Sequence, residues 1–246
     1  MEIQAERGYL IPAVNTDTTD YVSCANQLAH SIREWHPDAN ITVLTQDMLP
    51  FGNRGGFAND WQCFYASPYR QTIKLEADMI AAGPVDHWWT MLEKRDVVIS
   101  QGCRTFYDEP AVSRYYRKTF DNNALPDVYN AIPYSRLSNQ AKEFFDLVRN
   151  IFEHWEQWRT ILKFGDKEAT TDVVYAIAAQ VIGPEKVTLP KGYGPTMVHM
   201  KQHMQSTHSN DWTNELVWEA TDPGLRIQTV AQHGFVHYQN KEWRYT

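Results

Sequence analysis

The stretch Gln71–Ile80, QTIKLEADMI, decides how the rest of the chain is read. An apolar-leaning run climbs through Ile73 and Leu75 and ends on Glu76 and Asp78, separated by Ala77. The run predicts a strand, and a strand that delivers two carboxylates to its exit makes a hard-oxygen site for a divalent cation such as Mn²⁺ or Mg²⁺. In open α/β sheets ligands bind just outside the carboxyl ends of the strands, so the position suits chemistry. Acid-x-acid pairs also end ordinary exposed strands. The surroundings decide between the two.

Upstream, Gly8–Val14 (GYLIPAV) predicts a first strand, with Pro12, which cannot donate to a ladder, marking an edge or a bulge. The polar run 15–20 supplies N-caps. Tyr21, Cys24, Ala25, Leu28, Ala29 and Ile32 then fall on one helical face that ends before Pro37. Ile41–Thr45 predicts a short β-branched strand closed by Gln46 and Asp47. This β-α-β opening builds a parallel sheet. Phe51–Phe57 (FGNRGGF) is a glycine-rich loop without the GKS/T ending of a P-loop.

Downstream, His87–Leu92 predicts a short helix, Asp96–Ser100 a buried strand, and Leu125–Arg136 a turn followed by a strand. A long helix is predicted from about Ser138, with Phe144, Phe145, Val148, Ile151, Phe152 and Trp155 recurring at three and four. Thr170–Ile182 predicts another, capped by Thr171 or Asp172, and Leu225–Val230 and Phe235–Tyr238 two further strands. With no repeat or linker, the expected architecture is one α/β domain over 1–246, a mixed central sheet flanked by helices.

Composition narrows the function. Apolar residues make up 43% and charged residues 22% of the 246, an ordinary globular balance. The net charge of −7 argues against a protein whose main task is gripping nucleic acid through phosphates, although the cluster Arg114–Lys118 (RYYRK) offers a local basic patch. Cys24, Cys63 and Cys103 share no CxxC spacing and are expected reduced and buried. There is no long apolar run, and the first ten residues lack the basic and apolar regions of a signal peptide, so a cytoplasmic chain without membrane insertion is expected. No GxSxG elbow or GxGxxG fingerprint occurs, which lowers hydrolase and dehydrogenase readings.

A second constellation lies at Gly234–Tyr245, GFVHYQNKEWRY. A histidine at a strand end followed within a turn by a lysine presents a metal ligand and a phosphate-binding cation together. Combined with the acid-x-acid pair, two carboxylates and an imidazole bind a metal, while the metal and Lys241 neutralise a diphosphate leaving group. His199 and His203 stand four apart, a spacing compatible with a helical metal pair, but no HExxH glutamate lies between them.

Taken together, Lys74-Leu75-Glu76-Ala77-Asp78-Met79 and His237-Tyr238…Lys241-Glu242-Trp243 resemble the DxD and H-F…K-P-W signatures of GT-A (Rossmann-like) nucleotide-sugar-dependent glycosyltransferases, glycogenin-like and phage-type members above all. The resemblance runs in order along nearly the whole chain, with Glu76 replacing the first aspartate and a tighter His237–Lys241 spacing. It implies Mn²⁺ or Mg²⁺ held by Asp78, His237 and Glu76. It implies a nucleotide diphosphate sugar donor at Asn15, Thr16, Asp47, Lys74, Glu76 and Lys241, and places Asn130 and Asp172 at the transferred sugar. Apart from the resemblance, the stretch with His199 and Lys201 reads as structural or acceptor-side, or else as lying near the donor phosphates. Asn130 matches an N-x-G element whose glycine is replaced by Ile132-Pro133. Residues 1–100 would form the nucleotide half, and 101–246 the acceptor half with the metal and phosphate segment. The implied activity is hexosyl or pentosyl transfer, with retention at the anomeric carbon. The acceptor would be a hydroxylated or hydroxymethylated pyrimidine in phage DNA, met by Arg114, Arg117 and Lys118 with Arg104 upstream, inside a host cytoplasm. Alternatives are a cell-envelope or soluble glycan as acceptor, a sugar nucleotidyltransferase, and a non-catalytic carbohydrate-binding module. The sugar, the base, retention against inversion and the oligomer stay open.

Overall fold

A computed structural model describes residues 2–111, 118–165, 167–190 and 192–245. Strand β1 (Ala5–Pro12) leads through helix α1 (Tyr21–Trp35) to β2 (Ile41–Leu44), which runs parallel to it. The Asp20 side chain accepts from the Ser23 amide and so caps α1, whose buried face carries Cys24, Ala25, Leu28, Ala29, Ser31 and Ile32. Pro12 is not at an edge, as β1 lies between β2 and the next strand. It is tolerated because it ends the strand. The amides of Tyr9 and Ala13 turn toward β2, so the ring nitrogen of Pro12 turns the other way, past the last registered pair, Leu10 with Lys74.

After helix α2 (Gln62–Ala66), β3 (Tyr69–Lys74) pairs parallel with β1. The strand stops at Lys74, and β4 (Met79–Ala81) resumes in a different sheet, so the stretch read as one strand is two, with both acids in the turn between them. Helix α3 (His87–Leu92) and β5 (Val97–Gln101) follow, then α4 (Lys118–Asn122) and β6 (Val128–Arg136). Strand β6 runs antiparallel to both β3 and β5, which closes a mixed sheet of order β2-β1-β3-β6-β5.

Helix α5 (Asn139–Glu153), capped by Ser138, ends at His154, where φ −120° and ψ 31° break the predicted long helix. Helix α6 (Trp155–Ile161) restarts there, and Trp155 stays buried by stacking on Phe164 at 5.8 Å. Helix α7 (Thr171–Ile182) is entered through Thr170, so neither Thr171 nor Asp172 is the cap; the Asp172 carboxylate accepts elsewhere. Helices α1 and α3 cover one face of the sheet and α5 and α7 the other, which explains why β6 is buried along almost its whole length.

Beyond α8 (Pro184–Val187), β7 (Met197–His199) and α9 (Gln202–Gln205) put His199 on a strand and His203 on a helix, so the two share no helical face. Strands β8 (Trp218–Thr221), β9 (Gly224–Ile227) and β10 (Val230–Ala231) make an antiparallel meander. A turn with Gln228 at φ 54° divides the run 225–230 that reads as one strand. Strand β11 (Phe235–His237) pairs antiparallel with β4 and parallel with β7, giving a small sheet of order β4-β11-β7. Ile80, Val198, Trp212, Ile227, Val236 and Tyr238 pack a core shared by the two small sheets. Among the described residues, no helix is long and apolar enough to cross a membrane.

Candidate active site

The change of sheet between β3 and β4 builds the site. The backbone of Asp78 accepts from the Tyr238 amide at 3.1 Å, and His237 stands in register with Met79. A histidine 159 residues away is thereby delivered to Asp78: His237 Nε2 lies 2.7 Å from Asp78 Oδ2, and His237 Nδ1 lies 3.4 Å from Glu76 Oε2. One ligand atom from each of Glu76, Asp78 and His237 falls within 4.8 Å of the others. Two carboxylates and an imidazole that converge in this way could hold a divalent metal ion.

On the other side, the His199 ring stacks on His237 with centroids 4.6 Å apart and planes 18° from parallel, because β7 and β11 hold the two residues in register. Burial pushes the His237 imidazole below its ordinary pKa against the pull of Glu76, and the ammoniums of Lys201 and Lys74 push the same way. A neutral ring is the form that ligates a metal. Gln239, at φ 64°, and the Asn240 amide bonding back to the Tyr238 carbonyl turn the chain sharply. That turn accommodates the tight His237–Lys241 spacing and brings the Lys241 ammonium into an ion pair with Asp78, 5.7 Å above the Tyr21 ring. Burial lowers the pKa of Lys241, with Glu76 opposing it.

Beneath this cluster lies a second, buried network. Lys74 sends its ammonium to Asp60 Oδ2 at 2.6 Å and to the Asn130 carbonyl at 3.1 Å. Asp60 Oδ1 accepts from Asn130 Nδ2 at 2.9 Å and from the Tyr175 hydroxyl at 2.6 Å. Asp172 Oδ1 accepts from the Asn130 amide at 2.8 Å. Burial works to lower the Lys74 pKa, but Asp60 and then Glu76 more than offset it and hold the ammonium above its ordinary value. The structure thus gathers Lys74, Asn130 and Asp172 through Asp60 and Tyr175, which sequence reasoning missed. Asp60 gave one signal: a lysine inside an apolar strand needs a counter-ion.

The other predicted residues sit apart from this network. Strands β1, β2 and β3 are parallel, so the loops after them leave the same edge of the sheet. Asn15 there accepts from the Val22 amide and Thr16 from the Thr19 amide, bracing the entry to α1. Exposed Asp47 accepts from the Thr45 hydroxyl, which lowers its carboxyl pKa. Lys201 precedes α9. Lys118 is exposed at the start of α4, whereas Arg114 and Arg117 lie outside the described residues. Arg104 is committed to Asp108 and to the ring and carbonyl of His233.

Over 94% of its length the chain superposes on 97% of mouse xyloside xylosyltransferase 1 in its apo form, at a TM-score of 0.51 and 9% identity. The chain has a GT-A-type glycosyltransferase fold. A glycosyltransferase involved in glycosylation of the major capsid of PBCV-1 is also similar, at TM-score 0.48 and 11% identity over 94% of this chain and 93% of that one. No family model and no curated protein matches the sequence.

Proposed function

We propose that the chain is a glycosyltransferase that moves a sugar from a nucleotide diphosphate sugar to a hydroxyl acceptor. The observation that carries this reading is the convergence of Glu76, Asp78 and His237 at the exit of a parallel strand in a GT-A-type fold. Those three residues would hold Mn²⁺ or Mg²⁺, which when bound supplies a Lewis acid for the diphosphate leaving group. Lys241, already drawn to Asp78, brings a second positive charge to the same place. Asn15, Thr16 and Asp47, in the loops at that edge, suit the nucleotide, so residues 1–100 form the nucleotide half. Asn130 and Asp172, joined by a hydrogen bond, face the transferred sugar from the half formed by 101–246.

The acceptor we propose is a hydroxylated or hydroxymethylated pyrimidine in DNA, met by exposed Lys118 with Arg114 and Arg117. A glycan is the second reading, favoured by the net charge of −7 and by the engagement of Arg104 with Asp108. Salt separates them: transfer to modified duplex weakens steeply as salt rises, whereas transfer to a neutral glycan does not.

The donor reading is tested by thermal shift with nucleotide diphosphates and their sugars, with and without Mn²⁺. A ligand well above its dissociation constant raises the melting temperature by mass action. Stabilisation by one diphosphate that requires the metal is the expected result. No response to any of them refutes it.

A further inference from the structure

Asp60 stands outside every motif in the sequence, yet its carboxylate is fully engaged. Oδ2 pairs with Lys74, while Oδ1 accepts from both Tyr175 and the side-chain amide of Asn130. Residues from β3, α7 and the turn before α2 thus close around Asn130 on β6, which has no exposed surface. Charge fixes which way the carboxamide faces. An ionised carboxylate only accepts, so the Asn130 nitrogen must point at Asp60 and its oxygen must point away. That oxygen, Oδ1, is buried and has no hydrogen-bond partner. A buried acceptor left unmatched is costly, and a group kept so against that cost is poised to receive a donor. Asp172, which grips the same residue by its backbone amide, lies within electrostatic reach of His237, so the network borders the metal-type cluster.

We propose that Asp60 is a positioning residue for glycosyl transfer: it locks Asn130 so that Oδ1 is presented as acceptor to a hydroxyl of the donor sugar. This rests on the glycosyltransferase reading. Because Asn130 is fully buried, this requires the side chains that cover Oδ1 to part, after which the hydrogen bond donated by the hydroxyl satisfies it. Lys74 neutralises Asp60 and is thereby withheld from the diphosphate.

The test compares two variants that both remove the buried charge pair. Lys74→Met with Asp60→Asn keeps an oxygen that accepts from Asn130 and Tyr175; Lys74→Met with Asp60→Leu removes it. Donor hydrolysis is measured with Mn²⁺ and UDP-glucose, UDP-galactose, UDP-xylose and GDP-mannose, with kcat and KM normalised to folded protein. The Leu form should turn over at least about tenfold more slowly than the Asn form, the loss expected when one oriented hydrogen bond is given up. Adding Asn130→Ala should cost the Leu form little and the Asn form much. In ¹⁵N spectra, the Asn130 side-chain amide should exchange slowly in the Asn form and rapidly in the Leu form. Equal kcat per folded molecule in the two forms, or additive losses with Asn130→Ala, overturns the inference. Wild-type protein that neither binds nor hydrolyses any of the four donors overturns the glycosyltransferase reading, and this inference with it.

Discussion

Replacing Lys74 by methionine gives the most quantitative test of the buried network. Lys74 is 5% exposed and the side chain of Asp60 11%, so the ion pair at 2.6 Å is shielded from bulk water. The substitution leaves Asp60 with its donors from Tyr175 and Asn130 but without a counter-ion. Removing one partner of a buried pair costs about 3–5 kcal/mol, because the remaining charge stays desolvated. At about 2–4 °C per kcal/mol for a chain of this size, Tm should fall by roughly 6–20 °C. Adding Asp60→Asn should restore most of the loss, since a neutral replacement of a buried pair is often close to neutral in energy. Urea unfolding followed by tryptophan fluorescence reads both steps. Alkali reports the same pair: the folded-state pKa of Lys74 is raised above 10.5, so its stabilisation is present in full below that value and is lost as pH rises through the folded value. The double variant should show a flatter alkaline limb. A single-variant cost below about 1 kcal/mol, or no recovery on adding Asp60→Asn, would refute a desolvated ion pair here.

Three further outcomes are expected. Asp78→Asn should weaken Mn²⁺ binding, read by titration calorimetry, by at least about 100-fold while the far-UV spectrum is unchanged, because it removes one of three closely spaced ligand groups. Asp20→Ala should cost about 0.5–2 kcal/mol in urea unfolding through loss of the cap on α1. The Glu215 carboxyl, held down to about 2 chiefly by the His208 amide, contributes stability that is present above its ordinary value of 4.5 and is lost as pH falls toward 2. Melting curves between those pH values should therefore fall less steeply for Glu215→Gln.

The parts of the fold that were legible in the sequence are those where local pattern and tertiary packing agree. Helix α1 carries its cap, its apolar stripe and its stop before Pro37 in the sequence, and the structure places each as read. The path between β3 and β4 was not legible. Ile73, Leu75, Ala77 and Met79 are all buried and keep a two-residue spacing through the acids, so the pattern of one continuous strand runs on where the chain leaves one sheet and enters another. The acid pair and His237 were legible as residue types, and only strand pairing could show that they meet. Asp60 escaped notice because its role belongs to the contacts of Lys74 and Asn130, neither of them near it in sequence.

The geometry also explains why one small residue separates the acids. Ala77 is buried in the core cluster with Ile73, Leu75 and Met79, while Glu76 and Asp78 on either side face the cluster around His237. A turn crossing from the five-stranded to the three-stranded sheet must send one side chain inward between two that point out. The packing beneath it leaves little room for branching or bulk, since added volume in a close-packed core forces neighbours out of place. The acid-small-acid pattern is thus set from both sides, by the core below and by the cluster around His237 above. The same crossing puts Asp78 beside β11, whose pairing with β4 supplies the imidazole. A single change of sheet therefore accounts for the spacing of the acids, the burial of the residue between them and the arrival of His237.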